Sequence, residues 1–272
     1  MRKSLNTLYF SATGTTQKIV VELAQKILDP REPANSIQHF DFTLPGARKN
    51  PVSFEKDDIV IVGVPVYAGR VPNVLLKYLN SIKGNGALAI AIVVYGNRNY
   101  DDALIELKDI LEFDGFKVMA AGAFIGEHAF SKTLAQGRPD EKDRQIVDEF
   151  AKLISTKITS SDEITGVKVP GNKPYRNYYM PKDNQGNPVD IRKVTPKTNT
   201  NCTDCKICAE VCPMGSIDYE DVTQLKGICI KCGACVKKCP VQAKYYDDPG
   251  YLKHKLELEI ECAKRCEPEL FI

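Results

Sequence analysis

The chain has 272 residues, 43% of them hydrophobic, and a formal net charge of +2. That length suits two domains with buried cores, and the charge leaves no basic footprint for nucleic acid. No run of about 18 apolar residues offers a membrane span, and the opening residues carry no signal-peptide pattern.

Taken in order, short apolar runs alternate with amphipathic stretches. Strands are predicted over 5–10, 36–42, 58–64, 88–95 and 117–125, from apolar runs and β-rich composition. Helices are predicted over 16–28, 71–82, 101–113 and 140–158, from apolar residues recurring at helical spacing. Five strands alternating with helices define an α/β fold with a doubly wound parallel sheet. Any ligand of such a sheet belongs in the loops at the carboxyl ends of its strands. From 160 to 200 the pattern dissolves into a connection rich in Pro and Tyr. Tyr175, Tyr178 and Tyr179 cluster there, which predicts an ordered segment packed on one or both domains. The domains are then 1–159 and 201–272, the latter ending in a helix over 248–260.

All ten cysteines fall after position 201. With no secretory signal they point to metal ligation in a reducing, cytoplasmic setting. Eight form a repeat: Cys202, Cys205, Cys208 and Cys212-Pro213, then Cys229, Cys232, Cys235 and Cys239-Pro240. Each copy reads C-x2-C-x2-C-x3-C-P. Three close cysteines wrap three corners of a 4Fe-4S cubane, and the fourth, expected to begin a short helix, serves the other cluster. The first cluster would use Cys202, Cys205, Cys208 and Cys239; the second would use Cys229, Cys232, Cys235 and Cys212. Zinc sites space their ligands as separated C-x2-C pairs, often with histidine, and neither feature occurs. Cys262 and Cys266, four apart on a predicted helix, are read as unliganded thiols packed under the metal domain.

The first strand runs into Ser11-Ala12-Thr13-Gly14-Thr15-Thr16 at the start of a helix. Hydroxyls and backbone N–H groups there form an anion cradle. The segment is neither G-x-G-x-x-G nor a P-loop, so a single terminal phosphate such as that of FMN fits best. Two later loops fall where a flavin ring would lie. Tyr67, Ala68 and Gly69 follow the third strand, with Tyr67 expected to stack on the ring. Gly96, Asn97, Arg98 and Tyr100 follow the fourth, with main-chain groups for the pyrimidine end and Tyr100 packing on the other face. Arg98 can instead pair with an acid and fix its loop. His128, in the loop after the fifth strand, reads as a hydrogen-bonded loop histidine.

The stretch from Phe10 to Thr16 resembles the FMN phosphate loop of flavodoxins, and the strand pattern is similar to their 2-1-3-4-5 sheet. The cysteine repeat resembles the bacterial two-cluster ferredoxins. Together they are similar to the flavodoxin–ferredoxin fusion proteins of anaerobic bacteria and archaea, as are the segments 95–102, 126–131 and 137–140. The resemblance implies FMN and two 4Fe-4S clusters in an electron carrier that serves redox partner proteins of the ferredoxin type. A small flavin-dependent reductase fed through the clusters is the alternative. The oligomeric state is not set by the sequence.

Overall fold

A computed structural model of the protein describes residues 4–28, 36–160, 165–183 and 185–272. The first half runs β1 (Ser4–Tyr9), α1 (Thr15–Ile27), β2 (Gln38–Asp41), a 3-10 turn at Pro45–Arg48, β3 (Asp58–Pro65), α2 (Asn73–Leu79), β4 (Leu88–Tyr95), α3 (Ala103–Phe113), β5 (Lys117–Ile125) and α4 (Glu141–Ser160). The five strands pair in parallel in the order β2-β1-β3-β4-β5. That is the flavodoxin-like doubly wound order. Every residue of β4 is buried, as an unbroken apolar run predicts for a strand covered on both faces.

Two apolar layers sandwich the sheet. On one face Ile19, Val20 and Leu23 of α1 meet Val147, Phe150 and Ile154 of α4. On the other, Leu75 and Leu79 of α2 meet Leu104, Leu107 and Leu111 of α3. α1 lies so close to the sheet that a Cβ at Gly63 would sit 2.3 Å from Cγ2 of Val20. Gly63→Ala is therefore expected to cost about 1–3 kcal/mol through overpacking. Thermal denaturation checks this, and adding Val20→Ala should return part of the loss by removing the colliding methyl.

Some helix ends differ from the sequence reading. α2 starts at Asn73 because Pro72 takes its N-cap, and α3 starts at Ala103 because Asp101 has φ of +44°. The connection is ordered where it is described and packs on both halves. The Asn172 backbone and side chain donate to Asp102, the Tyr175 hydroxyl to Asp109 and the Tyr178 hydroxyl to the Val71 carbonyl. At its far end Lys231 donates to the Arg192 carbonyl at 3.0 Å.

The second half contains β6 (Lys197–Thr198), α5 (Ile207–Glu210), α6 (Ala234–Lys237), β7 (Lys244–Tyr245), α7 (Pro249–Glu261) and β8 (Glu269–Phe271). β6 and β7 form an antiparallel ribbon. The short helices α5 and α6 end before the fourth cysteine of each repeat rather than starting at it. Pro213 and Pro240 disfavour a helical conformation at the preceding cysteine, so the helix must come earlier. α7 has Asp248 as N-cap, accepting from the Tyr251 N–H at 2.9 Å, and Pro249 in its first turn. Cys262 caps the C-terminus of α7 and Cys266 lies beyond it, so the two do not share a helix face. β8 pairs antiparallel with β5 and becomes a sixth strand of the large sheet, which the sequence reading did not anticipate.

Candidate functional site

The eight repeat cysteines separate into two groups around two recesses. Cys212, Cys229, Cys232 and Cys235 line one of about 350 Å³. Cys202, Cys205, Cys208 and Cys239 line the other, of about 300 Å³. Each recess thus takes three cysteines from one repeat and the fourth from the other. Gly233 and Lys206, at equivalent positions of the two copies, both cap their helix in the left-handed conformation. The fourth cysteines also match. Cys212 Sγ accepts the Ser216 N–H at 3.3 Å, and Cys239 Sγ accepts the Ala243 N–H at 3.2 Å.

The donor set fits iron–sulfur clusters. Burial, then the neighbouring thiols, pushes the Cys232 thiol up to about 12, and the same causes push Cys235 higher. Buried thiols crowded in this way ionise only when a cationic centre takes up their charge. Around Cys239 burial alone would raise the thiol, but four backbone N–H groups from residues 241–244 hold it below the ordinary value. Among the described residues no three His, Cys, Asp or Glu side chains converge closely enough to hold a single ion. The cysteines line the walls of each recess instead, and a cubane takes its four thiolates on separate irons.

Two buried lysines, which the sequence reading passed over, flank these groups. Lys244 borders the recess of Cys202, Cys205, Cys208 and Cys239, donates to Thr198 Oγ1 at 2.7 Å and to the Val222 carbonyl, and is 3% exposed. Its charge favours ionisation of both Cys208 and Cys235. Lys231 donates to the Cys229 carbonyl at 2.9 Å, and burial lowers its ammonium below the usual lysine range.

At the carboxyl end of β1, Gly14 takes φ of +89° and caps α1. Ser11 Oγ accepts the Gln17 N–H, and the Ser11 N–H donates to Thr43 Oγ1. Among the described residues the N–H groups of Thr13, Thr15 and Thr16 make no such bond. A Cβ at Gly14 would meet open space. A phosphate fits this cradle, which offers donors, a helix N-terminus and room.

The ring loops are built differently from the sequence reading. Tyr67 turns toward the second cysteine group. Its hydroxyl end is enclosed, and burial, then Cys232 and Cys229, raise it well above the ordinary tyrosine value. Tyr100 packs on Tyr95 and donates to Glu269 at 2.8 Å, so it is a core side chain and not a ring-stacking one. Arg98 pairs with Asp101 and lies over the Tyr179 ring. Gly69 and Gly96 are packing positions, because a Cβ at either would meet Asp101 or His128 within 2.5 Å. The carbonyls of Ala68, Gly69 and Asn97 accept from Tyr179, Asp102 and Cys266. The N–H groups of Ala68, Gly69, Asn97 and Arg98 make no bond among the described residues. The loops therefore offer donors, which the acceptor atoms of a flavin ring require.

The metal half docks on these same loops. Gly233 approaches so closely that a Cβ there would sit 2.5 Å from the Ala129 carbonyl. Arg48 spans the seam from the Thr43 carbonyl to the Pro213 carbonyl. Asn97 donates to the Cys262 and Lys264 carbonyls and accepts the Cys266 N–H, so Cys262 and Cys266 pack against the sheet domain. His128, held by burial down to about 4, is neutral in this seam and accepts the Phe130 N–H.

Residues 160–255 match the family described as 4Fe-4S dicluster domain. The chain is also similar to solved flavodoxins at low identity. An archaeal flavodoxin is 16% identical, over 57% of this chain and 98% of that one, with a TM-score of 0.36. Oxidised flavodoxin 1 from Bacillus cereus is 17% identical, over 54% and 94%, with a TM-score of 0.39. The rubredoxin oxygen:oxidoreductase of Desulfovibrio gigas is 14% identical, over 58% and 37%, with a TM-score of 0.38. None of the curated proteins matches the sequence. By its strand order and its cysteine repeat, the chain joins a flavodoxin-like sheet to a 4Fe-4S dicluster domain. That composition is one of a redox electron-transfer protein. Among the described residues no helix is long and apolar enough to cross a membrane.

Proposed function

We propose that the protein is an electron carrier with two 4Fe-4S clusters and one FMN, exchanging electrons with redox partner proteins. The observation that carries this reading is the docking of the second cysteine group on the flavodoxin-like half: Ala234 lies in the apolar core of that half, Cys232 packs against it, and Gly233 abuts the Ala129 carbonyl. Bound clusters would supply one-electron transfer, and a bound flavin would supply the change between one- and two-electron chemistry. Cys202, Cys205, Cys208 and Cys239 would hold the first cluster; Cys229, Cys232, Cys235 and Cys212 would hold the second. The cradle from Ser11 to Thr16 would hold the phosphate, and the N–H groups of the Ala68–Gly69 and Asn97–Arg98 loops would hold the ring.

The two metal sites differ in access. Cys205 is exposed, which leaves the first site open to a partner. Tyr246 lines the second; its hydroxyl lies 3.8 Å from Cys229 Sγ and its ring stacks on Tyr251 at 4.4 Å.

Anaerobic purification with iron, sulfide and flavin counts, followed by an EPR-monitored titration, tests the reading. About eight irons and one FMN per chain, cycling reversibly, are expected. Absence of any reversible centre would sink it. Substrate turnover at a physiological rate with reduced ferredoxin would replace the carrier by a reductase. Thr15→Asp should repel the phosphate, empty the flavin site and leave iron in place; flavin absorbance retained at wild-type level would reject the cradle. Lys244→Met should lower the cluster potentials by roughly tens of millivolts, because a buried cation stabilises the more negative reduced state. An unchanged titration would remove Lys244 from that role.

A further inference from the structure

α7 presents two apolar faces. Tyr251, His254 and Leu258 point inward and are buried. Opposite them, Leu252, Leu256 and Ile260 are 43%, 57% and 68% exposed. Spaced four apart, they form one stripe along about two turns of the helix. An apolar stripe of this kind, rimmed by charges, marks an interaction surface.

The rim is ordered. Lys253 and Lys255 precede the centre of the stripe, and Glu257, Glu259 and Glu261 follow it. Within the chain they form i,i+4 pairs, Lys253–Glu257 at 2.6 Å and Lys255–Glu259 at 2.9 Å. Beside the stripe, Tyr179 stacks on His254 at 5.7 Å and Lys253 donates to the Lys182 carbonyl. Tyr179 and Met180 are 41% and 48% exposed.

We propose that this face is a two-fold interface with a second copy of the chain, the two α7 helices crossing antiparallel at Leu256. A two-fold axis through Leu256 sets Leu252 against the partner's Ile260, and Leu256 against the partner's Leu256. It also sets Lys255 against the partner's Glu257, while Glu259 accepts from Ser131 and Thr133 of its own chain. Apolar meets apolar and cation meets anion at each of these positions, which an isologous contact requires. A parallel pairing would set lysine on lysine and glutamate on glutamate. A foreign partner would need no such symmetry about one residue. A helix face with its shoulder is smaller than the roughly 800 Å² per partner of a standard interface, so the dimer is weak.

Sedimentation equilibrium of the cofactor-loaded protein, from about 5 to about 300 μM to cover a weak interface of this size, reads the association. The wild type should pass from monomer to dimer across that range. Lys255→Glu sets a new carboxylate against the partner's Glu257, and Glu257→Lys sets a new ammonium against the partner's Lys255. Each variant alone should associate at least about tenfold more weakly, as like charges are forced together. An equimolar mixture of the two should regain wild-type association, because the heterodimer again pairs opposite charges at both contacts. That rescue also shows that neither variant is misfolded. A wild type that stays monomeric throughout, single variants that associate like the wild type, or a mixture no tighter than its components would each overturn the proposal.

Discussion

Replacing Cys235 with alanine is expected to reduce iron from about eight to about four or fewer per chain, and to loosen the seam between the halves. Cys235 is buried on α6, close after Gly233 at the point where the metal half touches the Ala129 carbonyl. Losing that ligand removes the group that orders α6, and with it the close approach of Gly233 to the Ala129 carbonyl. Cys205→Ala should also lose iron, but from the exposed first site, leaving the seam intact. The decisive comparison is Cys212→Ala. It belongs to the first repeat but lines the second recess, so it should behave like Cys235→Ala and not like Cys205→Ala. Cys239→Ala should group with Cys205→Ala for the same reason. Iron counts combined with limited proteolysis of the connection read both effects. If Cys212→Ala grouped with Cys205→Ala, the crossed ligation would be wrong.

The second large effect belongs to Arg138→Met. Arg138 and Asp143 form a pair whose side chains are 4% and 0% exposed. Arg138 Nε donates to Asp143 at 2.9 Å, and Nη1 donates to the Cys266 carbonyl at 2.7 Å. The substitution leaves the Asp143 carboxylate buried, with Arg265 Nη2 at 3.4 Å and the Asp140 N–H as its remaining polar neighbours outside its own helix. Breaking a buried pair from one side costs about 3–5 kcal/mol. Because bound cofactors spoil two-state unfolding, the comparison is between denaturation midpoints at equal cofactor loading. Arg138→Met/Asp143→Asn should recover part of the loss by removing the stranded charge. A single variant as stable as the wild type would show that Arg265 alone satisfies Asp143. Arg265 also holds the Asp140 carboxyl far below the usual carboxylate range. Its folded value is depressed, so this pair contributes fully above the ordinary carboxylate value and is lost only in strong acid.

What could be read in advance divides along the reach of the interactions. The sheet was legible because each strand declares itself locally: 88–95 is apolar throughout, and β4 is buried throughout. Repeat spacing also states which cysteines should share a cluster, and the two recesses are lined by three cysteines of one repeat and one of the other; the ligation itself is what the iron counts test. The ring loops were less legible. Tyr67 and Tyr100 look equivalent in sequence, yet one turns to the cysteines and the other into the core. Their fates depend on Cys232 and Glu269, more than 160 positions away. β8 was invisible for a related reason. Three residues carry no period, and only the open edge of β5 makes them a strand.

That last strand has a consequence for how the molecule is made. Ala121 pairs with Phe271 and Ala123 with Glu269, so the metal half is a loop closed at both ends on one sheet. During synthesis β5 is complete long before its neighbour exists, and its edge stays open while all eight repeat cysteines are translated. An open edge is a template for the wrong strand. Closure by β8 follows the emergence of every cluster ligand, and a bulky fusion placed directly after Phe271 would compete with it. The sheet is thus sealed by a segment translated after every repeat cysteine.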